Sequence, residues 1–368
     1  MKPIRVTYRL HVAPGDAAAR AESLALEQTA ELPRAVVADD PDAFVGSVER
    51  IEAEPDGTTR ATIDYPAAAT AADPAQLLNV AFGNAALLGD VTLVNVEVPG
   101  SIARVLGGPR HGIFGFRAST GVEGRPLTCA ALKPMGASPE TLADRCEAFA
   151  RAGVDVIKDD HGLADFPGCS LADRLDACGT ALERAADATG RRALYAPSLV
   201  GSPSAIQKGL ARAAATGAGA ALVAPLLVGL PAFHEVARES PIPILAHPAW
   251  AAARVAPEAL LGTLFRLFGA DAVIFPHAGG RFPWSEATCR GLADELRRPR
   301  GDLRAALPVP AGGMSLARVS ELVEFYGMDS MLLVGGTLYA GEEGLEARAR
   351  TFVRRVAGAA TDRVGRPA

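Results

Sequence analysis

The last two-thirds of the chain repeat one pattern: a short apolar run followed by a stretch rich in Ala and Leu, with a period of roughly 25–35 residues. The apolar runs have the length and continuous hydrophobicity of strands that are buried on both faces. The stretches between them are long enough for the helical crossover that parallel strands require. The runs lie at residues 127–134, 154–160, 192–199, 220–227, 242–249, 271–278, 306–313 and 330–336. Eight such units predict a (β/α)8 barrel.

The first part of the chain has a different order of elements. Four runs show the alternation of half-buried strands, and two longer stretches have helical composition. In chain order the predicted elements are a strand at 4–12, a helix at 16–31, strands at 44–52 and 59–65, a helix at 73–88 and a strand at 91–97. This is the β-α-β-β-α-β order of a ferredoxin-like domain. We therefore predict an α/β protein in which a ferredoxin-like α+β domain, residues 1–115, precedes the barrel, residues 116–368.

Composition limits the partners of the chain. Its 368 residues carry a net charge of −5, which argues against a general nucleic-acid binder because such a protein needs a basic surface. The N-terminal segment lacks the apolar core of a signal peptide, and no run reaches about 18 apolar residues, so we expect a cytoplasmic protein that does not enter a membrane. The five scattered cysteines predict reduced thiols rather than disulfides or a zinc site.

Polar side chains cluster at the carboxyl ends of the predicted barrel strands, where the active sites of such barrels lie. The sequence LysAspAspHis at 158–161 ends the second strand and could ligate a divalent cation, although a solvated charge run is the alternative. Lys133 ends the first strand and is a candidate proton shuttle, or else a surface lysine. His247 and His277 end the fifth and sixth strands, and their proximity to the candidate ligands favours a catalytic role over a structural one.

Two glycine pairs end the seventh and eighth predicted strands, Gly312–Gly313 and Gly335–Gly336. The loops after these two strands commonly hold the phosphate group of a substrate in this fold. Backbone N–H groups approach an anion closely where no Cβ intervenes, so the pairs predict a phosphate site, with simple tight turns as the alternative.

Several of these segments resemble RuBisCO, and more closely its non-carboxylating RuBisCO-like relatives. The residues that carry the resemblance are GVDVIKDD at 153–160, RPLTCAALKP at 125–134, ILAHPA at 244–249, PAGGM at 310–314 and VGGTL at 334–338. The resemblance implies that CO2 carbamylates Lys158, which then holds Mg²⁺ with Asp160 and a third ligand at His161. It also implies that Lys133 moves protons, that His247 lies in the active site, and that the glycine pairs bind phosphate.

The N-terminal domain adds to this resemblance. The segments ALEQ at 25–28 and GNAA at 83–86 are similar to family segments that close the active site of a partner subunit. A homodimer is therefore implied, in which Glu27 and Asn84 contact the substrate bound by the other copy.

Other positions depart from the carboxylating members of the family. Met135 stands in place of a second lysine, Pro248 in place of an arginine and Ala311 in place of a serine. The segment 276–284, which follows the sixth strand, has no lysine that could hold CO2. His161 replaces a glutamate ligand, so an ion softer than Mg²⁺ could compete for the site.

These departures indicate a RuBisCO-like enzyme that does not fix CO2. The expected chemistry is metal-dependent enolisation of a phosphorylated keto-sugar or keto-sugar acid, with Arg281 as a clamp on the substrate. The resemblance implies one of the reactions known for the non-carboxylating relatives, and the changes at His161 and Pro248 favour decarboxylation or hydrolysis of 3-oxo-isoapionate 4-phosphate among them. The alternatives are a methionine-salvage isomerase or enolase, the latter acting on 2,3-diketo-5-methylthiopentyl 1-phosphate, and a non-catalytic barrel that binds a metabolite.

Overall fold

The computed structural model describes residues 2–32, 36–37, 44–251 and 254–364. Its strands form an antiparallel sheet in the N-terminal part of the chain and parallel ladders in the rest. The N-terminal sheet is antiparallel, with its four strands in the order β2-β3-β1-β4. The strands are β1 Ile4–Leu10, β2 Ser47–Ala53, β3 Thr59–Tyr65 and β4 Val91–Glu97. Helices α1 Ala17–Glu27 and α2 Pro74–Phe82 complete the predicted ferredoxin-like order.

Both N-terminal helices are shorter than predicted. Helix α1 ends at Glu27, because the amide of Gln28 turns toward the end of α2 and donates to the carbonyls of Asn79 and Val80. Helix α2 begins at the cap Asp73, which accepts the N–H of Gln76 at 2.9 Å, and it gives way to a 3-10 turn at Asn84–Leu87.

The barrel strands are all parallel and their residues are mostly fully buried. They are β5 Leu127–Leu132, β6 Val156–Asp159, β7 Leu194–Ala196, β8 Ala221–Val223, β9 Ile244–Ala246, β10 Ala272–Pro276, β11 Leu307–Ala311 and β12 Met331–Val334. Two four-stranded ladders run β12-β5-β6-β7 and β8-β9-β10-β11. A bridge between Ser198 and Leu222 joins β7 to β8, and β11 lies beside β12, which closes the ring. The predicted α/β barrel is confirmed.

The remaining helices cover the barrel and its lower end. They are α3 Gly100–Leu106, α4 Gly112–Thr120, α5 Pro139–Arg151, α6 Leu171–Thr189, α7 Pro203–Ala215, α8 Pro225–Val228, α9 Leu230–Glu239, α10 Phe265–Leu267, α11 Glu286–Arg297, α12 Val319–Tyr326 and α13 Leu345–Val364. A π-helical segment, Glu258–Leu264, runs directly into α10. Short 3-10 turns lie at Pro14–Asp16, Ala67–Thr70, Leu316–Arg318 and Gly336–Leu338.

Serine caps fix where four of the barrel helices begin. The hydroxyl of each serine accepts the backbone N–H three residues further along the chain, which satisfies one of the unpaired donors of the first helical turn. The capping residues are Ser138 before α5, Ser170 before α6, Ser202 before α7 and Ser285 before α11. Each loop from strand to helix therefore ends at a defined point, which positions the side chains at the barrel mouth.

Helix α4 closes the amino-terminal end of the barrel. Its Phe116 is fully buried and packs with the inward-facing residues of the strands, among them Leu127 and Val156. Asp271 holds the start of the helix by accepting the N–H groups of His111 and Gly112, both at 2.6 Å. The predicted domain boundary at residue 115 falls inside this helix, and the division into two domains stays a prediction.

Two further predictions concern cysteines and membranes. All five cysteines are buried free thiols, as the scattered spacing predicted. Within the ranges that the structure describes, no helix combines the length and the apolar character needed to cross a bilayer.

Candidate functional site

A cavity of about 610 Å³ opens at the carboxyl ends of the barrel strands. Side chains alternate along each strand, so every second residue points into the barrel. Val156 and Leu245 pack in the barrel interior. Lys158 and Asp160 follow Val156 by two and four positions, His247 follows Leu245 by two, and all three reach the cavity. Ten of the predicted site residues line it: Lys133, Lys158, Asp160, His161, His247, Arg281, Gly312, Gly313, Gly335 and Gly336. The barrel topology therefore brings together residues as far apart in the sequence as Lys133 and Gly336.

The end of β6 is anchored by a buried ion pair. Asp159 points away from the cavity and accepts three hydrogen bonds, from Arg174 Nε at 3.0 Å, the Tyr195 hydroxyl at 2.7 Å and the backbone N–H of Ser198 at 3.0 Å. Both side chains of the ion pair are fully buried. Because Asp159 is held in this way, its neighbours Lys158 and Asp160 face the cavity on the opposite side of the strand.

Lys158 presents an amine that burial favours in its uncharged form. The residue is 3% exposed, and its Nζ donates to the carbonyl oxygen of Asp159 at 2.8 Å. Burial lowers the pKa of Lys158, and the nearby Lys133 acts in the same direction, against the opposing effect of Asp160. An uncharged amine is the form that reacts with CO2, so the surroundings of Lys158 are compatible with the predicted carbamate.

Asp160 is the centre of the polar contacts in the cavity. Its Oδ1 accepts the backbone N–H of His161 at 2.8 Å and the His161 Nδ1 at 2.9 Å, while its Oδ2 pairs with the ammonium of Lys133. Although burial opposes it, the hydrogen bonds from His161 and Lys133 hold the pKa of Asp160 well below its usual range. Asp160 is therefore an anion whose carboxylate has few acceptor positions left.

Lys133 is held at its backbone by residues from two other elements. Its N–H donates to the Tyr339 hydroxyl at 3.1 Å, that hydroxyl donates to the carbonyl of Ala131 at 2.8 Å, and Arg145 donates to the Lys133 carbonyl. Burial raises the pKa of Tyr339 to about 12, so the hydroxyl keeps its proton and remains a donor. These contacts fix the direction in which the Lys133 side chain enters the cavity.

His247 and His161 stack face to face, with ring centroids 4.0 Å apart and an interplanar angle of 10°. The N–H of Ala249 donates to His247 Nδ1 at 3.1 Å, so the proton of the neutral ring lies on Nε2. Burial, as the largest cause, lowers the pKa of His247 to about 2. His247 is thus an uncharged hydrogen-bond donor, whereas the Nδ1 of His161 is hydrogen-bonded to Asp160.

The predicted metal ligands fit a divalent ion only under one condition. In the part of the chain described by the structure, no group of three His, Cys, Asp or Glu side chains is arranged to hold a metal. Asp160 and His161 supply one oxygen and one nitrogen donor, and a carbamate on the buried Lys158 would supply the missing anionic ligand. The donor set therefore fits a metal when Lys158 is carbamylated.

The glycine pair after β11 lies against the loop that follows β10. Gly312 and Gly313 have φ angles of 90° and 83°, a conformation that favours glycine. A Cβ on Gly313 would lie 2.9 Å from the backbone nitrogen of Arg281, and one on Gly312 would lie 3.2 Å from the Phe282 ring. The guanidinium of Arg281 in turn lies 4.8 Å from the centroid of that ring. Only glycine allows the two loops to approach this closely.

His277 does not reach the cavity, contrary to its prediction as a catalytic residue. It is fully buried, and its Nδ1 donates to the carbonyl of Ala278 at 2.8 Å. Its neighbour Pro276 lines the cavity, and Ile274 packs inside the barrel, so the alternation of β10 directs His277 outward. This alternation of side chains can be read from the sequence, and it argues against a place for His277 in the cavity.

Glu27 and Asn84 lie together outside the barrel. The Asn84 amide donates to the Glu27 carboxylate at 3.0 Å, and both line a separate cavity of about 230 Å³ in the N-terminal part of the chain. Gln28 joins the two segments because its amide oxygen accepts the N–H of Ala85 at 2.7 Å. The two residues thus form one unit that does not line the barrel cavity of the same chain, and their role in a partner's site stays a prediction.

Five further residues support or complete the site, and no sequence motif above assigned them a role. Arg174 and Tyr195 anchor Asp159, and Tyr339 fixes Lys133. Phe282 and Trp284 form an aromatic part of the cavity wall. The aromatic pair was visible in the loop that replaces the lysine segment of carboxylases, whereas the three supporting residues have no local signal in the sequence.

The chain is similar to proteins of known family along almost its whole length. The model of the ribulose bisphosphate carboxylase large chain, catalytic domain, matches residues 112–268. Ribulose bisphosphate carboxylase-like protein 1 of Rhodopseudomonas palustris is 47% identical over 360 residues, which cover 96% of this chain and 97% of that protein.

Two relatives have names that state an activity. The 5-methylthioribulose-1-phosphate isomerase of Rhodospirillum rubrum is 41% identical over 364 residues, or 97% of each chain. The 2,3-diketo-5-methylthiopentyl-1-phosphate enolase of Exiguobacterium sibiricum is 34% identical over 321 residues, 84% of this chain and 81% of that one.

A solved structure gives the same result for the fold. The Rubisco-like protein from Rhodopseudomonas palustris superposes with a TM-score of 0.90 at 42% identity, and the match covers 100% of both chains. The resemblance inferred from the strand-end motifs is thus confirmed, and so is the expectation of a non-carboxylating protein. The chain belongs to the RuBisCO large-chain superfamily, as a RuBisCO-like protein of form IV.

Proposed function

We propose that this protein isomerises a phosphorylated methylthio-keto-sugar, with 5-methylthioribulose 1-phosphate as the first substrate to test. The observation that carries the proposal is the meeting of an uncharged histidine donor, a lysine–carboxylate pair and a glycine turn in one cavity. The relative that is 41% identical over nearly its full length is named for this reaction. Neither of the two relatives whose names state an activity is named for 3-oxo-isoapionate 4-phosphate, so the isomerase is preferred to the decarboxylase that the sequence favours.

The charge of the cavity suits a phosphorylated ligand. Asp160 is the one carboxylate among its described lining residues, whereas Lys133 and Arg281 are basic. The backbone of Gly312 and its neighbour Gly313 carries no side chain that would block an anion from the N–H groups. We therefore assign the phosphate to the glycine turns and the reacting carbons to the side where Lys133 lies.

The protein side chains divide the proton transfers between them. The Nε2–H of His247 would donate to the substrate carbonyl oxygen and stabilise the negative charge that develops there when the adjacent carbon loses its proton. Lys133, in its uncharged form, would take that proton and return it to the former carbonyl carbon. His247 would give its Nε2 proton to the former carbonyl oxygen and recover a proton from the hydroxyl oxygen that becomes the new carbonyl, which leaves both side chains as they began. Asp160 would hold the ammonium form of Lys133 in position between these steps.

A divalent cation, Mg²⁺ first, is proposed at carbamylated Lys158, Asp160 and His161. When bound there, it would polarise the substrate carbonyl as a Lewis acid. Without a carbamate on Lys158, Asp160 and His161 are two ligands and the set lacks a third.

The complete site is proposed to need two copies of the chain. Glu27 and Asn84 lie on the N-terminal domain, outside the barrel cavity of their own chain, and are held together as one unit. In the proposed homodimer, this unit would contact the substrate bound in the other copy.

The test is a solvent-exchange experiment with a matched pair of variants. Purified protein is incubated in deuterated buffer with 5-methylthioribulose 1-phosphate, and NMR follows isomerisation and deuterium incorporation at carbon. Lys133→Ala should abolish both, while Lys208→Ala, which alters an exposed lysine on α7, should leave both unchanged. Adding a chelator, or removing CO2, tests the metal and the carbamate separately.

Other substrates distinguish the remaining hypotheses. Turnover of 2,3-diketo-5-methylthiopentyl 1-phosphate alone would identify an enolase, and release of CO2 from 3-oxo-isoapionate 4-phosphate would restore the decarboxylase. If ligands bind but no exchange occurs with any of them, the barrel is a binding protein and the proposed catalysis is refuted.

A further inference from the structure

The loop that follows β10, residues 277–284, is fastened to the neighbouring loop by its backbone. The N–H of His277 donates to the carbonyl of Ala311 at 2.9 Å, and the N–H of Arg281 donates to the carbonyl of Gly312 at 2.8 Å. Within the loop, Gly280 donates to the His277 carbonyl at 3.2 Å. The loop therefore follows the glycine turn along most of its length.

Arg318 adds a second attachment from the outer side of the loop. Its Nη1 donates to the carbonyl oxygens of Ala278 and Gly279, both at 3.1 Å. Arg318 ends the 3-10 turn Leu316–Arg318, which follows the Gly312–Gly313 turn in the chain. One guanidinium thus connects the two loops that form the proposed phosphate side of the cavity.

Glu321 holds that guanidinium in its orientation. The Nε of Arg318 donates to Glu321 Oε2 at 2.9 Å and its Nη2 donates to Oε1 at 2.5 Å. The side chains are 30% and 56% exposed, and ion pairs at such positions add little to stability. The bidentate contact does, however, use the Nε and Nη2 edge and leaves Nη1 directed at the loop.

Gly279 makes this arrangement possible. Its φ angle is 68°, and a Cβ at this position would collide with the Arg318 guanidinium. The loop backbone is thus shaped to receive an arginine, and the planar fork of arginine is needed to contact two carbonyls and a carboxylate together. A lysine ammonium carries all of its donors on one nitrogen, so it cannot contact the loop carbonyls and the Glu321 carboxylate together.

We propose that Arg318 is a positioning residue that fixes the 277–284 loop as an immobile wall of the cavity, with Arg281 and Phe282 set against the glycine turn. The consequence for catalysis rests on the proposed function, since it concerns how the phosphorylated substrate is held. Arg318 does not line the cavity, so it acts through the loop rather than on the substrate.

The experiment compares Arg318→Ala and Arg318→Lys with Arg350→Ala, which removes an exposed arginine–glutamate pair on α13. Trp284 reports on the loop directly, and replacing the exposed Trp250 by Phe removes the other tryptophan of the chain. Acrylamide quenching of Trp284 should increase in both Arg318 variants and stay unchanged in the control. No substrate is needed for this measurement.

Steady-state kinetics then measure the effect on substrate binding. Both Arg318 variants should raise KM by about tenfold with kcat within about twofold of the parent, the pattern of lost uniform binding. Restoration by Lys would show that charge alone matters and would overturn the proposal, as would unchanged quenching. If quenching increases while the parent protein turns over none of the candidate substrates, the positioning role stands and the proposed function fails.

Discussion

Replacing Arg174 by Met should strongly destabilise the protein because it leaves a buried carboxylate without its charged partner. Arg174 and Asp159 are both fully buried, and Asp159 would keep only the Tyr195 hydroxyl and the Ser198 N–H as donors. The guanidinium also donates to the carbonyls of Ala164 and Cys169 at 2.7 and 2.8 Å, and these oxygens would lose their donor.

The size of the effect follows from this loss. Removing one partner of a buried ion pair costs about 3–5 kcal/mol, most of which is the desolvation of the remaining charge. The contact with the Ala164 carbonyl is part-buried and that with the Cys169 carbonyl is buried, so the loss of these two hydrogen bonds adds to the cost and the figure for the ion pair alone is a lower bound. We therefore expect Arg174→Met to lower the free energy of unfolding by at least about 3–5 kcal/mol, measured by urea denaturation.

Arg184→Met is the matched control on the same helix. Arg184 is 51% exposed and pairs with Glu147, so its loss should cost at most about 1 kcal/mol. Adding Asp159→Asn to Arg174→Met should recover part of the lost stability, because the uncharged amide is less costly to bury. If the two arginine variants lose equal stability, Asp159 is not held as described, and the anchoring of the β6 end is wrong.

Three further predictions test the site and its support. His247→Gln keeps an N–H donor and should retain more activity than His247→Leu, whose kcat should fall about 10²–10³-fold; equal losses would show that His247 does not donate to the substrate. Gly313→Ala should raise KM, because φ is 83° and the new Cβ would lie 2.9 Å from the backbone nitrogen of Arg281. Gly179→Ala in α6, where a Cβ meets open space, is the control. If both variants keep the parent KM, the two loops are not closely packed. Burial acts to raise the pKa of Asp155, but Arg125 and Thr128 together hold it below its ordinary value of 3.8. The stability that this carboxylate adds is therefore present above pH 3.8 and is lost as the pH falls through the pKa of the folded state. Asp155→Asn should remove that part of the acid sensitivity in urea titrations, and an unchanged acid transition would contradict it.

The sequence contained enough information to predict the barrel and most of its mouth. Apolar runs at a regular spacing define the strands, and the topology alone brings Lys133, Lys158 and His247 to one cavity. Strand lengths were overestimated because apolar character continues past the last ladder hydrogen bond. The run 220–227 shows this, since β8 ends at Val223 and Pro225 already starts a helix.

Contacts between distant side chains could not be predicted from the sequence. Arg174 lies within an amphipathic helix and has the same local context as Arg184, yet one is fully buried and the other half exposed. Which arginine meets Asp159 depends on how α6 packs on β6, and no local pattern encodes that. His277 is the opposite case. The alternation along its strand indicates that its side chain faces away from the cavity, but its nearness to other predicted polar residues favoured a catalytic role.

The charges of the cavity suggest that CO2 and a divalent cation act together. With a free amine on Lys158, the carboxylate of Asp160 is already balanced by Lys133, and a cation would gain little by entering. A carbamate on Lys158 would add a second negative charge that Lys133 alone cannot balance, which favours a divalent ion beside it. Carbamate and cation should therefore stabilise each other, so the affinity for Mg²⁺ should rise with dissolved CO2 in the parent and be independent of CO2 in Lys158→Met. Calorimetric titration of Mg²⁺ at low and high CO2 decides this, and an affinity that ignores CO2 in the parent would leave Asp160 and His161 without a role as metal ligands.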